Sequence, residues 1–119
     1  MAAELVSVDD GLVTLRVSGR LTQSELASLQ QRSAGIIRQT GTVRVLVLVE
    51  HFEGWEQGGQ WDDFSFQDAN DPHIARMAIV GDEKWRDLAL LFTSKDLRQF
   101  PLEYFAADQL AAARAWLAA

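Results

Sequence analysis

Hydrophobic and polar residues alternate near the start of the chain in a pattern that predicts two paired strands. Residues 4–8 and 12–19 are rich in β-branched residues, and in the second run Val13, Leu15 and Val17 alternate with polar neighbours. This alternation is typical of a strand with one solvated face. An Asp-Asp-Gly turn separates the two runs, and its glycine can adopt the positive φ that a tight turn needs. The pattern therefore predicts an antiparallel hairpin.

The following segment has the pattern of a capped helix. Thr22 and Glu25 have the spacing of a capping box, and Gly41 is a plausible stop after the last turn. Between them, apolar and small residues recur at helical spacing: Leu26, Leu29, Ser33, Ile36 and Ile37. This spacing predicts that one face of the helix packs on the sheet.

The rest of the chain continues as strands that alternate with helices. The expected strands are 43–49, 74–81 and 102–106, and the expected helices are 57–67, 83–100 and 109–118. The run 43–49 is nearly all apolar, which favours a central parallel strand covered on both faces. Asp82 and Asp108 are the expected N-caps of the last two helices. The proline at position 101 ends the helix before it.

The predicted order is β-β-α-β-α-β-α-β-α, in one α/β domain over residues 1–119. Right-handed crossovers should make the later strands parallel, so the sheet is mixed, with an N-terminal antiparallel hairpin and helices packed on it. Trp85, Leu88, Ala89 and Phe92 are expected to share one face of their helix.

Composition and charge exclude several classes of function. The chain has no cysteine, which excludes disulfides, thiol catalysis and thiolate metal sites. No signal peptide or membrane span is recognisable, so we expect a cytoplasmic protein without integral membrane association. The net charge is −6, and the absence of a basic cluster argues against nucleic acid as a partner. No basic residue lies between Arg44 and Arg76. That interval holds Glu50, Glu53, Glu56, Asp62, Asp63, Asp68 and Asp71.

Residues that could carry chemistry are sparse. His51 and His73 do not occur in any metal-binding spacing, so no metal site is expected. No serine has the context of an activated nucleophile. The segment "VGDEKW" has one glycine, and its own carboxylates occupy the helix start, so a helix cap is expected there rather than a phosphate site. The sequence predicts no catalytic residue and no cofactor.

The most conspicuous feature is the segment "HFEGWEQGGQWDDF", residues 51–64, together with the residues just after it. The candidate ligand or interface residues are Phe52, Trp55, Trp61, Phe64 and Phe66, with Gly58 and Gly59 allowing close approach of a backbone. These aromatic side chains have three possible roles. They could cover the core, form a dimer interface or line a ligand pocket.

Four segments of the chain carry a family resemblance. They are "GRLTQSEL" (19–26), "VRVLVLVEHFEGWEQGGQWDDFSF" (43–66), "RMAIVGDEKW" (76–85) and "YFAADQLAAARAWL" (104–117). They resemble the SpoIIAA-like family of small bacterial proteins, which is related in fold to STAS domains and to the lipid-binding Sec14 (CRAL-TRIO) domains. The resemblance covers nearly the whole chain. It implies a STAS-like fold and a short list of possible activities.

The resemblance also implies a contrast. STAS relatives that antagonise anti-sigma factors carry a phosphorylatable serine after the central strand, but no serine or threonine lies between Glu50 and Gln60 here. The first hypothesis is therefore a non-enzymatic interaction or regulatory module without that acceptor, acting on a protein partner or as a homodimer. The alternative is a carrier or sensor of a small apolar, lipid-like ligand held under residues 51–66.

Overall fold

The structure, a computed structural model, describes residues 3–55, 71–92 and 100–119. Its elements in chain order are β1 (Ala3–Asp9), β2 (Leu12–Leu21), α1 (Gln23–Thr40), β3 (Val43–Trp55), β4 (Ile74–Gly81), α2 (Arg86–Phe92), β5 (Leu102–Ala106) and α3 (Leu110–Ala118). Short 3₁₀ turns, Asp71–His73 and Glu83–Trp85, precede β4 and α2. The helix predicted at 57–67 lies outside the described residues.

The strands form one sheet in the order β1-β2-β3-β4-β5, in which β1 is antiparallel to β2 and all later neighbours are parallel. This confirms the predicted mixed sheet and the central position of β3. When each new parallel strand is added on the same side of the previous one through a right-handed crossover, the connecting helices lie on the same face of the sheet. Accordingly, Ile37 of α1 and Ala89 of α2 contact the same core cluster. The last helix, α3, packs on the opposite face, where Leu117 lies against Leu46.

Local signals fix both ends of α1. The Thr22 hydroxyl accepts a hydrogen bond from the Glu25 N–H at 3.2 Å and donates one to the Glu25 carboxylate at 2.9 Å. At the other end Gly41 has a φ of +92°, and its N–H binds the Ile37 carbonyl. Both termini are confirmed as predicted. The buried residues of α1 are Leu29, Ser33 and Ile37.

Among the residues that the structure describes, three clusters of buried side chains form the core. The largest lies between the sheet and the face that carries α1 and α2, and the second lies between the sheet and α3. The third is small and consists of Ala3, Leu21 and Leu29, between β1, β2 and α1. Full burial of one aliphatic side chain contributes about 1.5–3 kcal/mol. The first two clusters therefore stabilise the domain most, and the third depends on side chains that pack around it.

Two arginines hold the end of α3 against the sheet. Arg44 and Arg76 are direct neighbours in the β3–β4 ladder, where two like charges would ordinarily repel. Arg44 donates to the carbonyl of Leu117 at 3.3 Å, and Arg76 donates to the carbonyl of Trp116 and lies 5.1 Å from the centre of its ring. Cations are stabilised at a helix C-terminus, where unpaired carbonyls concentrate negative charge.

Two helix predictions need correction. The helix expected at 83–100 starts with a 3₁₀ turn, and Phe100 lies in a bend rather than in a helix, because a residue that precedes proline avoids helical backbone. The N-cap of α3 is Gln109, not Asp108. The Gln109 side chain accepts a hydrogen bond from the Ala106 N–H at 3.2 Å and so binds the preceding strand.

Candidate functional site

The central strand extends beyond the predicted range 43–49 and continues to Trp55. Its ladder with β2 is interrupted just after Glu50. Glu50 and Phe52 oppose consecutive residues of β2, which leaves His51 as an extra residue with a φ of +50°. This arrangement is a β-bulge. The first part of the aromatic segment, residues 51–55, is therefore strand, although the sequence predicted that the strand would end at residue 49.

A second irregularity follows at once. Glu53 is also an extra residue in the ladder, and Gly54 has a φ of +110°, a conformation that favours glycine. In a regular strand Phe52 would share a face with Leu46, under α3. The first bulge shifts the alternation by one position and the second shifts it back. Phe52 therefore packs on the same side as Trp55, beside the third core cluster, under α1.

Three aromatic rings of the described part of the chain meet at this end of the sheet. Phe52 lies 4.9 Å from both Trp55 and Trp85, and the two tryptophans are 6.0 Å apart, measured between ring centres. All three pairs are edge-to-face, the arrangement that aromatic rings favour and that contributes about 0.5–1.5 kcal/mol per pair beyond area burial. We call Phe52, Trp55 and Trp85 the aromatic trio. Each member is half-buried.

Trp85 is held by the turn that follows β4. The Asp82 carboxylate accepts a hydrogen bond from the Lys84 N–H at 3.0 Å, which confirms the predicted cap. The Tyr104 hydroxyl of β5 donates to the Asp82 carbonyl at 2.7 Å. The Lys84 ammonium lies 5.7 Å from the centre of the Trp85 ring, within the range of a cation–π contact.

Charged groups beside the turn brace it further. Arg86 donates to both carboxylate oxygens of Glu83, at 2.8 and 2.7 Å, and to the carbonyl of Tyr104 at 3.1 Å. The hydrogen bond from Arg86 lowers the pKa of Glu83. Burial of its ring, followed by the nearby charges of Asp82 and Glu83, raises the pKa of Tyr104.

A half-open cleft of about 230 Å³ lies between the end of β3 and this turn. Its lining residues are Val49, His51, Phe52, Asp82, Lys84 and Trp85. Pockets for drug-sized ligands usually span about 300–1,000 Å³, so the cleft has room for a single side chain or a small molecule. It lies at the C-terminal ends of parallel strands, the edge where α/β sheets commonly bind ligands.

The structure describes only part of the predicted candidate set. Phe52 and Trp55 come together beside the third core cluster, and Phe52 also lines the cleft. The other candidates lie outside the described residues: Gly58, Gly59, Trp61, Phe64 and Phe66. Sequence reasoning did not include Trp85 in the site. The sequence feature that could have identified Trp85 is its position directly after the "VGDEK" turn, because this turn follows the strand next to β3.

His51 and His73 lie at opposite ends of the parallel strands β3 and β4, because His73 directly precedes β4 whereas His51 is near the end of β3. Within residues 3–55, 71–92 and 100–119, no group of three or more His, Cys, Asp or Glu side chains is arranged to hold a metal ion. In the same ranges, no helix is long and apolar enough to cross a membrane.

Comparisons with known proteins agree with this architecture. A crystal structure of a DUF3478-family protein from Shewanella loihica PV-4, described as uncharacterised and as having a SpoIIAA-like fold, matches with a TM-score of 0.73. The match covers 98% of this chain and 92% of that one at 17% sequence identity, so it shows the fold alone. No curated protein matches. The family model described as SpoIIAA-like matches residues 12–118, and the chain therefore belongs to the SpoIIAA-like family.

Proposed function

We propose that this domain is a cytoplasmic, non-enzymatic interaction or regulatory module that binds a protein partner through the aromatic trio and the cleft beside it. The family suggests this class of function, since SpoIIAA-like proteins are generally not enzymes. The trio is the observation that carries the proposal. Three half-buried rings lie together at the edge of the sheet, and large aromatic side chains are the ones enriched at protein interfaces.

The segment after the central strand distinguishes the module from phosphorylation-switched STAS relatives. A phosphoryl group adds nearly two negative charges to its acceptor, but residues 50–60 contain no serine or threonine. At the end of β3 the chain instead has a bulge, with the exposed His51 at the cleft and Phe52 in the trio. Binding at this edge is therefore controlled by shape and charge, without a phosphorylation event in that segment.

Site-specific photo-crosslinking in the source cells tests this function. A photo-reactive residue replaces the exposed His51 at the cleft. In the matched control, the same residue replaces the exposed Arg114 of α3, on the opposite face of the sheet. We expect capture of a discrete protein from His51 and not from Arg114. That protein can be a second copy of the chain or a different polypeptide. Capture from neither position, or equally from both, would refute the proposal.

A second candidate is a carrier or sensor of a small apolar ligand. Three of the six residues that line the cleft favour it, namely Val49, Phe52 and Trp85; the other three, His51, Asp82 and Lys84, are polar. The pure protein would then release an apolar compound on organic extraction, and ligand at about 100 times its Kd would raise stability by about 2.7 kcal/mol. Trp85→Ala should abolish this gain, and Trp116→Ala on the other face should not. A clean extract together with no thermal shift against fatty acids would exclude the carrier.

A further inference from the structure

An exposed apolar side chain extends the aromatic trio onto the surface of α2. Leu88 is 48% exposed, whereas Ala89, which the sequence pattern placed on the same helical face, packs on the core. Leu88 follows Trp85 by three residues in a continuous helical run, and residues three apart are neighbours on a helix surface. Phe52, Trp85 and Leu88 therefore form one partly exposed apolar surface beside the cleft, which we call the Trp85–Leu88 surface.

The charges around this surface are unbalanced. Glu50, at the end of β3, is paired with Arg16 at 3.5 Å. The other exposed acidic residues there and around the turn are Glu53, Asp82, Glu83 and Asp87. The basic residues are Arg20, which is opposite Gly54 in the ladder, Lys84 and Arg86. Apart from the Arg16–Glu50 pair, four carboxylates against three cations give a local net charge of −1. Arg86 donates two hydrogen bonds to the Glu83 carboxylate. Because this carboxylate offsets its positive charge, Arg86 does little to attract an anionic partner.

The negative charge around the Trp85–Leu88 surface favours some kinds of binding partner over others. A second copy of the chain would bring a net charge of −6 and the same acidic rim, so two copies that meet through this surface would repel each other. Nucleic acid and anionic membranes carry negative charge as well. A cleft of about 230 Å³ accommodates one large side chain as an anchor, and a positively charged flank on that anchor would complement the rim.

We infer that the Trp85–Leu88 surface docks a basic, amphipathic segment of another protein, with one large apolar residue of that segment anchored beside Trp85 and Leu88. The inference rests on the proposed interaction function and names the chemistry of the partner. Apolar anchors in such an interface determine affinity, whereas rim charges mainly set the association rate and the dependence on salt.

Binding of defined peptides to the full chain tests the inference. The probe is a fluorescent helical peptide of leucine and lysine, compared with a leucine–glutamate peptide and a serine–lysine peptide of the same length. Leu88→Ser removes the apolar contact and Asp87→Lys reverses a rim charge. The matched controls are Val8→Ser, at an exposed apolar residue of β1, and Glu103→Lys, at an exposed acid of β5.

We expect the leucine–lysine peptide to bind, to weaken about tenfold in Leu88→Ser, and to weaken in Asp87→Lys and in high salt. The two control variants should bind as the natural chain does, and the other two peptides should bind much more weakly. No binding of the leucine–lysine peptide, equal binding of the leucine–glutamate peptide, or no effect of Leu88→Ser would overturn the inference. If one of these results is found but the His51 crosslinker still captures a protein, the proposed interaction function holds. Only the inferred basic, amphipathic chemistry of the partner is then refuted.

Discussion

Gly81 occupies a crowded position at the end of β4, and its replacement by alanine should destabilise the domain. A Cβ added there would lie 2.7 Å from the Tyr104 hydroxyl oxygen and 2.9 Å from the Val49 Cβ. Neither neighbour can move easily. The Tyr104 hydroxyl is fixed by its hydrogen bond to the Asp82 carbonyl, and the Val49 Cβ is attached directly to the backbone of the central strand.

The expected loss for Gly81→Ala has two parts. Overpacking of a well-packed site costs about 1–3 kcal/mol, and loss of the Tyr104–Asp82 hydrogen bond costs about 1 kcal/mol. Alanine also reduces the entropy of the unfolded chain, which returns about 0.5 kcal/mol. We therefore expect a net loss of about 1.5–3.5 kcal/mol, which lowers the Tm by about 4 °C per kcal/mol in a domain of this size.

Urea denaturation of a double-mutant cycle separates these parts. Tyr104→Phe alone should cost about 1 kcal/mol. It also removes the atom that clashes most closely, so the combined variant should lose less than the sum of the single variants by about 1 kcal/mol. Gly35→Ala is the control, because a Cβ there meets only the end of the Arg38 side chain, at 3.9 Å, and should stabilise α1 by about 1 kcal/mol. Strict additivity in the cycle would refute the proposed clash.

Three other parts of the structure can be tested by stability and titration measurements. Arg76→Met should lower the unfolding free energy by about 1 kcal/mol, because it removes a cation from the C-terminus of α3, whereas the exposed Arg114→Met should have little effect in the same urea titration. Tyr104 is the only tyrosine, so phenolate absorbance should give a folded-state pKa above the ordinary value of about 10. Stability should accordingly be intact below that value and fall as the pH rises through the folded pKa. Trp55→Ala should cost about 3 kcal/mol in denaturant melts, and near-natural stability with lost partner binding would instead make that ring a purely functional surface.

The sequence predicted the fold well because local signals decided most of it. The alternation in β2, the apolar run in β3 and the capping box at Thr22 each act within a few residues of chain. Right-handed crossovers then left little choice in how the parallel strands could be joined. Asp82 was recognised as a cap for the same reason, since an N-cap depends only on the next two or three residues.

Features that depend on residues distant in sequence were not predicted. Arg44 and Arg76 look like ordinary polar positions of strands, and only the packing of α3 reveals that they bind its last carbonyls. Leu88 fits the apolar pattern of a buried helical face, yet the helix is rotated so that Ala89 and Leu90 pack on the core. Periodicity identifies an amphipathic helix but does not fix which edge of its apolar stripe meets solvent.

The candidate site illustrates the same limit most clearly. Phe52 can join Trp55 and Trp85 only because the bulge at His51 shifts the alternation of β3 by one position, and a bulge is defined by the register against a neighbouring strand. The residues "HFEGW" alone do not determine that register. The composition of the segment therefore suggested an aromatic surface, but not that a bulge would bring Phe52 onto the face that carries α2. That face, with Trp85 and Leu88 on it, is the one on which the proposed partner binding depends.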